Sequence, residues 1–559
     1  MKKRFSILVV TLLLITVMAS APISAQSQDQ SITAIEIQGN ENVMRNEILS
    51  VVETEVGDSF NSDEIKQDMQ SIYDLGYFQD VRVNFQNFEG GLKVVFNVVE
   101  NPKIKEINIE GLEVYDKAQV LEWMGVNQGS ILNVNKLNSG LKNVITNYQD
   151  NGYIIVNFTD VNISDEGILN IVLDLGHINE IKLSGNEKTN DYVILREIDL
   201  EQGQVLNINE VRSASRNIYQ LNYFTDINPE LERIGEDSNE VNVIFKLTEK
   251  KTGNFNFGGG YSSRDGWFGF VKVNESNLGG NGQTIGFNYQ FGKNDYYNFN
   301  FYEPYLLGNP TSFGLNVYDK YEQGQLKDED PPVDFERRTT GGSVTLGHDI
   351  LYDWRGSLRY KIENIDTVYD SDSLADSEFS LRSVTFTAEK NTTNLPYNPT
   401  SGRNDSFSIE HAGNFLGGDA DFTKYNFDLR RYYPGFAGEQ SWALRLRGGY
   451  STGILPESEK YALGGSESLR GYELYSFTGD HTLLTQIEYR IPFWDNLTGV
   501  IFVDAGQTWD DEENIVLDDL NYGKGLGVRI NTPIGQIRLD YGWNDEQKGT
   551  THFSLGNTF

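Results

Sequence analysis

The sequence predicts two kinds of structure in one chain: three α+β repeats with the element order β-α-α-β-β, followed by an all-β, 16-stranded transmembrane antiparallel β-barrel. Two observations carry this prediction. The first half of the chain repeats itself at intervals of about 70 residues, as small modules in tandem do. The second half alternates apolar and polar residues, which is the period of a β-strand.

The N-terminus has the pattern of a cleaved secretory signal peptide over residues 1–25. Basic residues open the chain in MKKR, a mostly apolar run follows, and small residues precede a cleavage site after Ala25. An uncleaved anchor is the alternative, but the apolar run is short for a membrane span. No later run is long enough for a transmembrane helix, so we expect an exported chain that is either soluble or a β-barrel.

Three segments open the repeats: ITAIEIQGNENV, IKEINIEGLEVY and INEIKLSGNEKT. They place the predicted repeats at residues 31–102, 103–176 and 177–252. Each repeat begins with an alternating strand, continues with two helical stretches, and ends with two strands joined by a turn. The second helix begins at a capping residue such as Asn61, whose side chain can accept a hydrogen bond from the first turn.

These repeats resemble POTRA domains, the periplasmic modules of outer-membrane insertases and two-partner secretion transporters. The resemblance rests on glycines that recur in register and on the corner sequences LGYF and LNYF. A generic α+β repeat is the alternative. The resemblance implies a small mixed sheet whose exposed edge can bind an extended, unfolded client by β-augmentation.

From about Gly253 the alternation is sustained to the end of the chain, over residues 253–559. In WALRLR, for example, Trp442 and Leu444 share one face while Arg445 and Arg447 share the other. Aromatic and aliphatic residues toward lipid, with polar residues toward a lumen, are typical of membrane barrels. A water-soluble sandwich is the alternative, and the combination of inward arginine with outward aromatic residues favours the barrel.

A long loop, ALGGSESLRGYELYSFTGD, interrupts the alternation and contains Arg470. On the next two strands, Glu488 and Asp504 fall on the inward face. A guanidinium group can bind two carboxylates in a defined geometry, so we expect the loop to fold into the barrel and Arg470 to pair with both. Gly471 would permit a tight chain reversal, and Tyr472 would pack on the barrel wall. An exposed loop with an incidental arginine is the alternative.

The tetrapeptide Leu469-Arg470-Gly471-Tyr472 resembles the V/I-R-G-F/Y loop motif of the BamA superfamily, and Glu488 and Asp504 match that family's loop-binding positions. The closing THFSLGNTF resembles its C-terminal strand. Leucine at 469 and the presence of three repeats depart from the common pattern. The resemblance implies an insertase of the bacterial outer membrane with periplasmic N-terminal domains. It also implies unfolded outer-membrane clients, accessory periplasmic or lipoprotein subunits, and contact with the lipid bilayer.

Glycines mark a predicted seam between the first and last strands of the barrel. Gly258, Gly259 and Gly260 stand in a row on the first strand, while Gly556 and the terminal Phe559 belong to the last. Glycine weakens a strand because it removes packing and adds chain entropy. We expect these strands to pair weakly and to part laterally; glycines that only fit the curvature of the barrel are the alternative.

Composition excludes several functions. The chain has no cysteine, and its five histidines lack the spacing of a metal site, so we expect no metal and no cofactor. A net charge of −35 disfavours nucleic acid as a partner. No catalytic motif or acid–base pair is recognisable, which favours a non-enzymatic protein. The functional alternatives to an insertase are TamA-like translocation and assembly, and a two-partner-type secretion pore.

Overall fold

The computed structural model describes residues 30–555 except 236–237, 264, 328–329, 373, 396–397, 495, 511–514 and 533–534. The predicted signal peptide, Gly556 and Phe559 lie outside these residues. None of the helices in the described ranges combines the length and the apolar character needed to cross a bilayer. The chain divides into two compact units, and the third repeat contributes segments to both of them.

Each repeat has the predicted order β-α-α-β-β, which is thereby confirmed. The first repeat comprises β1 (Ile32–Gln38), α1 (Arg45–Leu49), α2 (Ser62–Tyr73), β2 (Phe78–Phe88) and β3 (Gly91–Glu100). The second comprises β4 (Glu106–Glu110), α3 (Lys117–Met124), α4 (Val134–Asp150), β5 (Val156–Ile163) and β6 (Ile168–Leu175). The third comprises β7 (His177–Ser184), α5 (Asp191–Leu195), α6 (Ile208–Gln220), β8 (Phe224–Arg233) and β9 (Glu240–Glu249).

The last strand of each repeat lies in the middle of its sheet, as in the order β1-β3-β2. It pairs in parallel with the first strand and antiparallel with the second. The central strand is therefore buried, while β1 and β2 remain edges. The predicted cap is present on α2, where Asn61 accepts a hydrogen bond of 3.0 Å from the backbone N–H of Asp63.

Two asparagines on α4 and at its N-cap bind the corner that ends α2 of the preceding repeat. Asn133 Nδ2 donates to the carbonyl of Leu75, and Asn135 Nδ2 donates to the carbonyl of Asp74, both at 2.8 Å. Gly76 follows this corner with φ +80°, and a Cβ there would lie 2.8–2.9 Å from the two asparagine side chains. The close approach of the second repeat therefore requires glycine at this corner.

The same arrangement joins the second repeat to the third. Asn207 Nδ2 donates to the carbonyl of Asn151 at 3.1 Å, and a Cβ on Gly152 would lie 2.3 Å from Asn207 Oδ1. The corresponding corner of the third repeat carries Asn222 with φ 60°. Among the described residues the barrel strands follow this repeat instead of a fourth repeat, and a side chain is accommodated at this corner. We call the contacts of Asn133 and Asn135 with the first repeat, and the contact of Asn207 with the second repeat, the asparagine joints.

In the part of the chain that the structure describes, sixteen antiparallel strands form one sheet in sequence order, which confirms the predicted barrel. They are β10 (Gly253–Ser262), β11 (Gly266–Leu278), β12 (Gln283–Gly292), β13 (Asp295–Glu303), β14 (Thr311–Leu326), β15 (Val333–Leu351), β16 (Trp354–Tyr369), β17 (Ser377–Asn391), β18 (Gly402–Ala412), β19 (Asp421–Pro434), β20 (Ser441–Ile454), β23 (His481–Trp494), β24 (Leu497–Trp509), β25 (Asn521–Thr532), β26 (Gly535–Trp543) and β27 (Gly549–Leu555). Two short strands, β21 (Tyr461–Leu463) and β22 (Phe477–Gly479), pair with each other in the loop between β20 and β23.

One end of the barrel is marked by segments of the third repeat that belong to the same compact unit. Asn190 Nδ2 and the Tyr192 hydroxyl donate to Asn281 Oδ1 in the β11–β12 turn, at 2.8 and 3.0 Å. The guanidinium of Arg196 stacks 4.0 Å from the ring centroid of Tyr305, between β13 and β14. The turns β11–β12 and β13–β14, and every second turn after them along the barrel, lie at this end. We call this end the repeat-side rim.

Candidate functional site

The loop between β20 and β23 folds inward as a compact hairpin. Its two short strands pair Tyr461 with Gly479 and Leu463 with Phe477. At the tip, Ser468 Oγ donates to the carbonyl of Gly464 at 2.7 Å and accepts from its N–H at 2.9 Å. Leu469 is fully buried in an apolar cluster with Leu463 and the wall residue Leu484. The loop is therefore an ordered part of the barrel interior.

Arg470 lies between the two carboxylates that its sequence context indicated. Its Nε and Nη2 donate to the two oxygens of Asp504, each at 2.7 Å, and its Nη1 donates to Glu488 Oε1 at 2.6 Å. The backbone N–H of Arg470 also donates to Asp504 at 3.1 Å. All three side chains are at most 1% exposed. This bidentate geometry fixes both the position and the orientation of the loop tip.

An aromatic ring packs against the guanidinium group of Arg470. The carbon Cζ of Arg470 lies 3.6 Å from the ring centroid of Phe502, which is buried on β24. A cation over the face of a desolvated ring gains electrostatic attraction in addition to its ion pairs. Sequence reasoning missed this residue, although its parity with Asp504 already places it on the inward face.

The buried charges extend beyond the predicted pair. Arg529 Nη2 donates to Glu488 at 3.3 Å, and Arg470 Nη1 lies 3.7 Å from Asp540 Oδ2. The residues that complete this network and were not predicted are Arg490, Arg529, Arg538 and Asp540. The alternation in QIRLDYGW could have identified Arg538 and Asp540 as inward-facing. Removing one partner from such a network leaves a buried charge uncompensated, which is strongly destabilising.

Gly471 connects the loop tip to the last described strand of the barrel. It adopts φ +101°, which favours glycine, and its backbone N–H donates to His552 Nε2 on β27 at 3.0 Å. Its carbonyl accepts from Thr550 Oγ1, also on β27, at 3.1 Å. The tip is thereby tied to the strand that borders the predicted seam.

Two wall glycines make room for the tip. A Cβ on Gly523 of β25 would lie 1.7 Å from the carbonyl oxygen of Arg470, and one on Gly542 of β26 would lie 2.6 Å from the backbone nitrogen of Gly471. Both distances are too short for any side chain. The barrel wall is therefore shaped to receive the loop backbone itself.

Tyr472 and Tyr475 anchor the loop in two directions. The Tyr472 hydroxyl donates to Asp545, in the β26–β27 turn, at 2.7 Å. The Tyr475 hydroxyl donates to Glu322 of β14, also at 2.7 Å, and its ring packs edge-on against Phe335 of β15. The loop therefore spans the lumen from strands β23–β27 to strands β14 and β15. Tyr475 was not predicted, because no pattern in sequence relates it to a strand so distant in the chain.

The first and last described strands, β10 and β27, are the two ends of the sheet order. Ser263 N–H donates to the carbonyl of Phe553 at 3.2 Å, and Phe553 N–H donates to Ser263 Oγ at 3.1 Å. Among the described residues, no ladder of backbone hydrogen bonds joins these strands. The pairing expected across the seam is thus limited here to one point of contact.

The three glycines of β10 face the neighbouring strand β11. A Cβ on Gly258 would lie 3.0 Å from the ring of Phe270, and one on Gly260 would lie 3.3 Å from the ring of Phe268. A Cβ on Gly259 would lie 2.9 Å from the carbonyl of Phe268. Gly258 and Gly260 therefore leave room for aromatic rings and Gly259 leaves room for the backbone of β11, in addition to any weakening of the strand.

A cavity of about 390 Å³ is lined both by the loop and by residues at the seam. Ser263 lines it on the side of the first strands, Thr551 and His552 line it on β27, and Glu473 and Tyr475 line it on the loop. Within the described ranges, no three histidine, aspartate or glutamate side chains converge in a way that could hold a metal ion. The site offers buried hydrogen-bonded charge and a narrow contact between strands, which suit a mechanical role.

Two family models match the chain. A model of the Omp85 superfamily domain matches residues 277–559. A POTRA model, described as a surface antigen variable number repeat, matches residues 30–101, 102–176 and 176–250. Together they account for both halves of the chain.

Among characterised proteins, the chloroplastic outer envelope protein 80 of Arabidopsis thaliana is 23% identical over 531 residues, covering 88% of this chain and 72% of that protein. The outer membrane protein assembly factor BamA of Nitratidesulfovibrio vulgaris is 26% identical over 520 residues, covering 84% and 64%. In structure, BamA of Haemophilus ducreyi lacking POTRA domains 1–3 matches with a TM-score of 0.58 at 18% identity, covering 81% of this chain and 98% of that one. CdiB from Escherichia coli matches with a TM-score of 0.55 at 14% identity, covering 88% and 97%. At these identities the structural likeness shows the fold alone.

Proposed function

The chain belongs to the Omp85 superfamily, and from this premise we propose that it is a BamA-like assembly factor of the bacterial outer membrane. In this proposal the POTRA domains lie in the periplasm and receive unfolded β-barrel clients. The barrel then inserts the clients into the bilayer through the seam between β10 and β27. The protein acts without enzymatic chemistry, since folding of the client supplies the free energy.

The observation that carries the proposal is the unequal bonding of β27. On its inner side β27 is held by the loop tip, through the contacts of Gly471 with His552 and Thr550. Across the seam, Ser263 and Phe553 supply the described hydrogen bonds. Strand edges with unpaired backbone groups template the addition of further strands. Few described hydrogen bonds cross the seam, and the loop inside the lumen binds β27. Both features support strand exchange with a client.

The repeats supply the second part of the proposal. Both β1 and β2 are edges of their sheet, and β2 is the antiparallel one. An edge of this kind binds an extended peptide through main-chain hydrogen bonds with little demand on sequence, as a receptor for many unfolded clients must. Accessory periplasmic or lipoprotein subunits would bind on the remaining surfaces of the repeats.

A secretion pore is the second candidate, because CdiB shares the fold. The loop argues for the insertase: it crosses the lumen between Arg470 on one wall and Tyr475 on the other, so a translocating chain would have to displace a fully buried ion-pair network. A TamA-like role remains the alternative within the insertase class, and three POTRA repeats are compatible with it.

The test is reconstitution. Purified protein in liposomes should accelerate the folding of a urea-unfolded outer-membrane barrel, measured by its shift on unheated gels and by its protease resistance. Liposomes without protein, and liposomes with a cysteine-locked seam variant, serve as controls. Folding no faster than in empty liposomes contradicts the proposal.

Depletion in the native host distinguishes the two insertase classes. A general insertase should lose most outer-membrane barrels together, whereas a TamA-like protein should lose a small subset. Export of one soluble substrate without any loss of barrels would identify a secretion pore instead.

A further inference from the structure

Five charged side chains form a cluster on the outer face of the barrel at the repeat-side rim. Three are cationic and two are acidic: Lys390, Arg403, Arg431, Asp353 and Asp405. They lie at the ends of β17, β18 and β19 and in the turn between β15 and β16. We call this set the outer basic cluster.

The strand alternation places these side chains outside the lumen. Arg403 and Asp405 have the parity of Phe407 and Ile409, both exposed large apolar residues on β18. Arg431 has the parity of Tyr433, which is likewise exposed on β19. Side chains on alternate positions of a strand face the same side of its sheet. The cluster therefore belongs to the face that also carries the exposed aromatic and aliphatic residues.

Within the cluster, two guanidinium groups share one carboxylate. Arg431 donates to both oxygens of Asp405, with Nη2 at 3.1 Å, and Arg403 Nε lies 3.7 Å from the same group. The Asp405 side chain is 4% exposed, whereas that of Arg403 is 40% exposed. Among the described residues, no hydrogen bond from the Arg403 side chain is present. One positive charge is thus left uncompensated, and it lies on the accessible side.

The cationic Lys390 extends the cluster toward β16. Its Nζ lies 3.2 Å from Asp353 Oδ2. Next to it, the rings of Trp354 and Phe407 lie 6.0 Å apart on the same outer face. Several further large aromatic residues are exposed at this rim: Tyr352, Tyr433, Phe436, Phe493 and Trp494. Aromatic residues of this kind form belts at the level of the lipid headgroups.

The charge of the whole chain makes this cluster distinctive. At a net charge of −35, the protein repels anionic lipid at long range. A local surplus of positive charge at headgroup level works against that background. Guanidinium groups bind phosphate through paired N–H donors, and they do so better than ammonium groups do.

We propose that the outer basic cluster is a binding site for the phosphodiester headgroup of an anionic phospholipid in the leaflet nearest the repeats. Arg403 supplies the free N–H donors and Lys390 adds a second positive charge, while Asp405 partly neutralises the cluster through its pair with Arg431. The inference rests on the proposed membrane location of the barrel.

The test compares lipid binding by native mass spectrometry of the full chain, released from nanodiscs that contain phosphatidylcholine with increasing phosphatidylglycerol. The wild type should retain phosphatidylglycerol in preference to phosphatidylcholine. Arg403→Gln should lower the apparent affinity for phosphatidylglycerol about five-fold, as the loss of one basic residue near an anionic surface does. The matched control is Arg382→Gln. Arg382 also faces outward on β17, but it lies opposite Ile362 in the β16–β17 ladder, near the other end of the strand and away from this rim.

A second variant guards against misfolding as the explanation. Asp405→Asn removes the internal competitor and should raise retention of phosphatidylglycerol, a gain that a damaged barrel would not show. Equal retention of the two lipids by the wild type, or equal losses in Arg403→Gln and Arg382→Gln, overturns the inference. Displacement of the lipid by millimolar inorganic phosphate would show a site for free phosphate and would also overturn it. Failure of the wild type to enter nanodiscs contradicts the membrane location instead.

Discussion

The backbone N–H of Gly471 donates a hydrogen bond of 3.0 Å to Nε2 of His552, which joins a loop inside the lumen to the last described strand of the barrel. The adjacent residue, Arg470, is bound by Asp504 and Glu488 on strands β24 and β23. The loop tip thus connects strands on one side of the seam. Movement of the tip and movement of β27 are therefore coupled.

The first prediction concerns the buried guanidinium. Arg470→Ala leaves Glu488 and Asp504 less compensated in a site with no solvent access, which costs about 3–5 kcal/mol of the stability of the docked loop. We expect a folded barrel with a protease-sensitive loop and reduced assembly activity. Wild-type protease resistance and activity in Arg470→Ala would contradict the role assigned to this contact.

The second prediction concerns the wall beneath the loop. Gly523→Ala places a Cβ 1.7 Å from the carbonyl of Arg470, so the loop cannot dock in its present position. The matched control is Gly314→Ala on β14, where the nearest atom to the new Cβ lies 3.7 Å away. Limited proteolysis should cut the loop of the first variant and spare that of the second. Equal resistance would show that the close approach is not required.

The third prediction concerns the asparagine joints. Gly76→Ala should loosen the joint between the first two repeats, because its Cβ would displace Asn133 and Asn135. Gly90→Ala is the control: its φ is +79°, against +80° for Gly76, but nothing lies within 4 Å of its Cβ. Since the chain has no cysteine, spin labels can be attached at introduced cysteines replacing Lys66 and Lys142. The distance distribution should broaden in Gly76→Ala alone.

The alternation of the sequence was sufficient to place Glu488 and Asp504 on the inward face, because parity along a strand is a local property. The same alternation could have placed Phe502 of β24 and Asp540 of β26 on the inward face. The partners of the loop backbone could not be found in this way. The contact of Gly471 with His552 depends on the path of a loop with no period, and the contact of Tyr475 with Glu322 joins residues about 150 positions apart.

For the glycines, the sequence located the residues but did not show which atoms lie beside them. A row of three glycines indicated weakness in β10, but composition does not reveal what fills the space beside a missing Cβ. The structure shows the rings of Phe268 and Phe270 there. Gly76 and Gly152 recur in register in the sequence, yet their reason, the asparagines of the next repeat, becomes visible only in three dimensions.

The fourth prediction concerns pH and the first repeat. Burial by itself raises the pKa of Glu100, but hydrogen bonds from the backbone of Val43, from the side chain and backbone of Asn42 and from the backbone of Glu41 outweigh it, so the pKa lies below its usual range. A depressed pKa contributes stability above the pKa of the unfolded chain, and this contribution is lost as the pH falls through the folded value. The carboxylate is partly exposed, so we expect no more than about 1 kcal/mol.

Thermal unfolding of the wild type and of Glu100→Gln checks this sign. The wild type should unfold at the higher temperature near pH 7, and the difference should shrink as the pH falls below about 4.5, the pKa of an unperturbed glutamate. A difference that is constant from pH 7 to pH 3 would show that the charge of Glu100 does not contribute.

The last prediction concerns the seam itself. Ser263 and Phe553 are joined by a backbone hydrogen bond of 3.2 Å, so cysteines at these two positions come within the range of about 7 Å between Cα atoms that a disulfide requires. The native chain has no cysteine, so this pair would form the only disulfide. If clients enter by parting of β10 and β27, the oxidised variant should be inactive and reduction should restore its activity.

The control is a cysteine pair at Val344 and Tyr360, which face each other within the ladder of β15 and β16, remote from the seam. That pair should leave activity unchanged when oxidised. Full activity of the oxidised seam variant would rule out lateral opening and favour passage through the lumen, because a closed seam leaves no other route for a client strand.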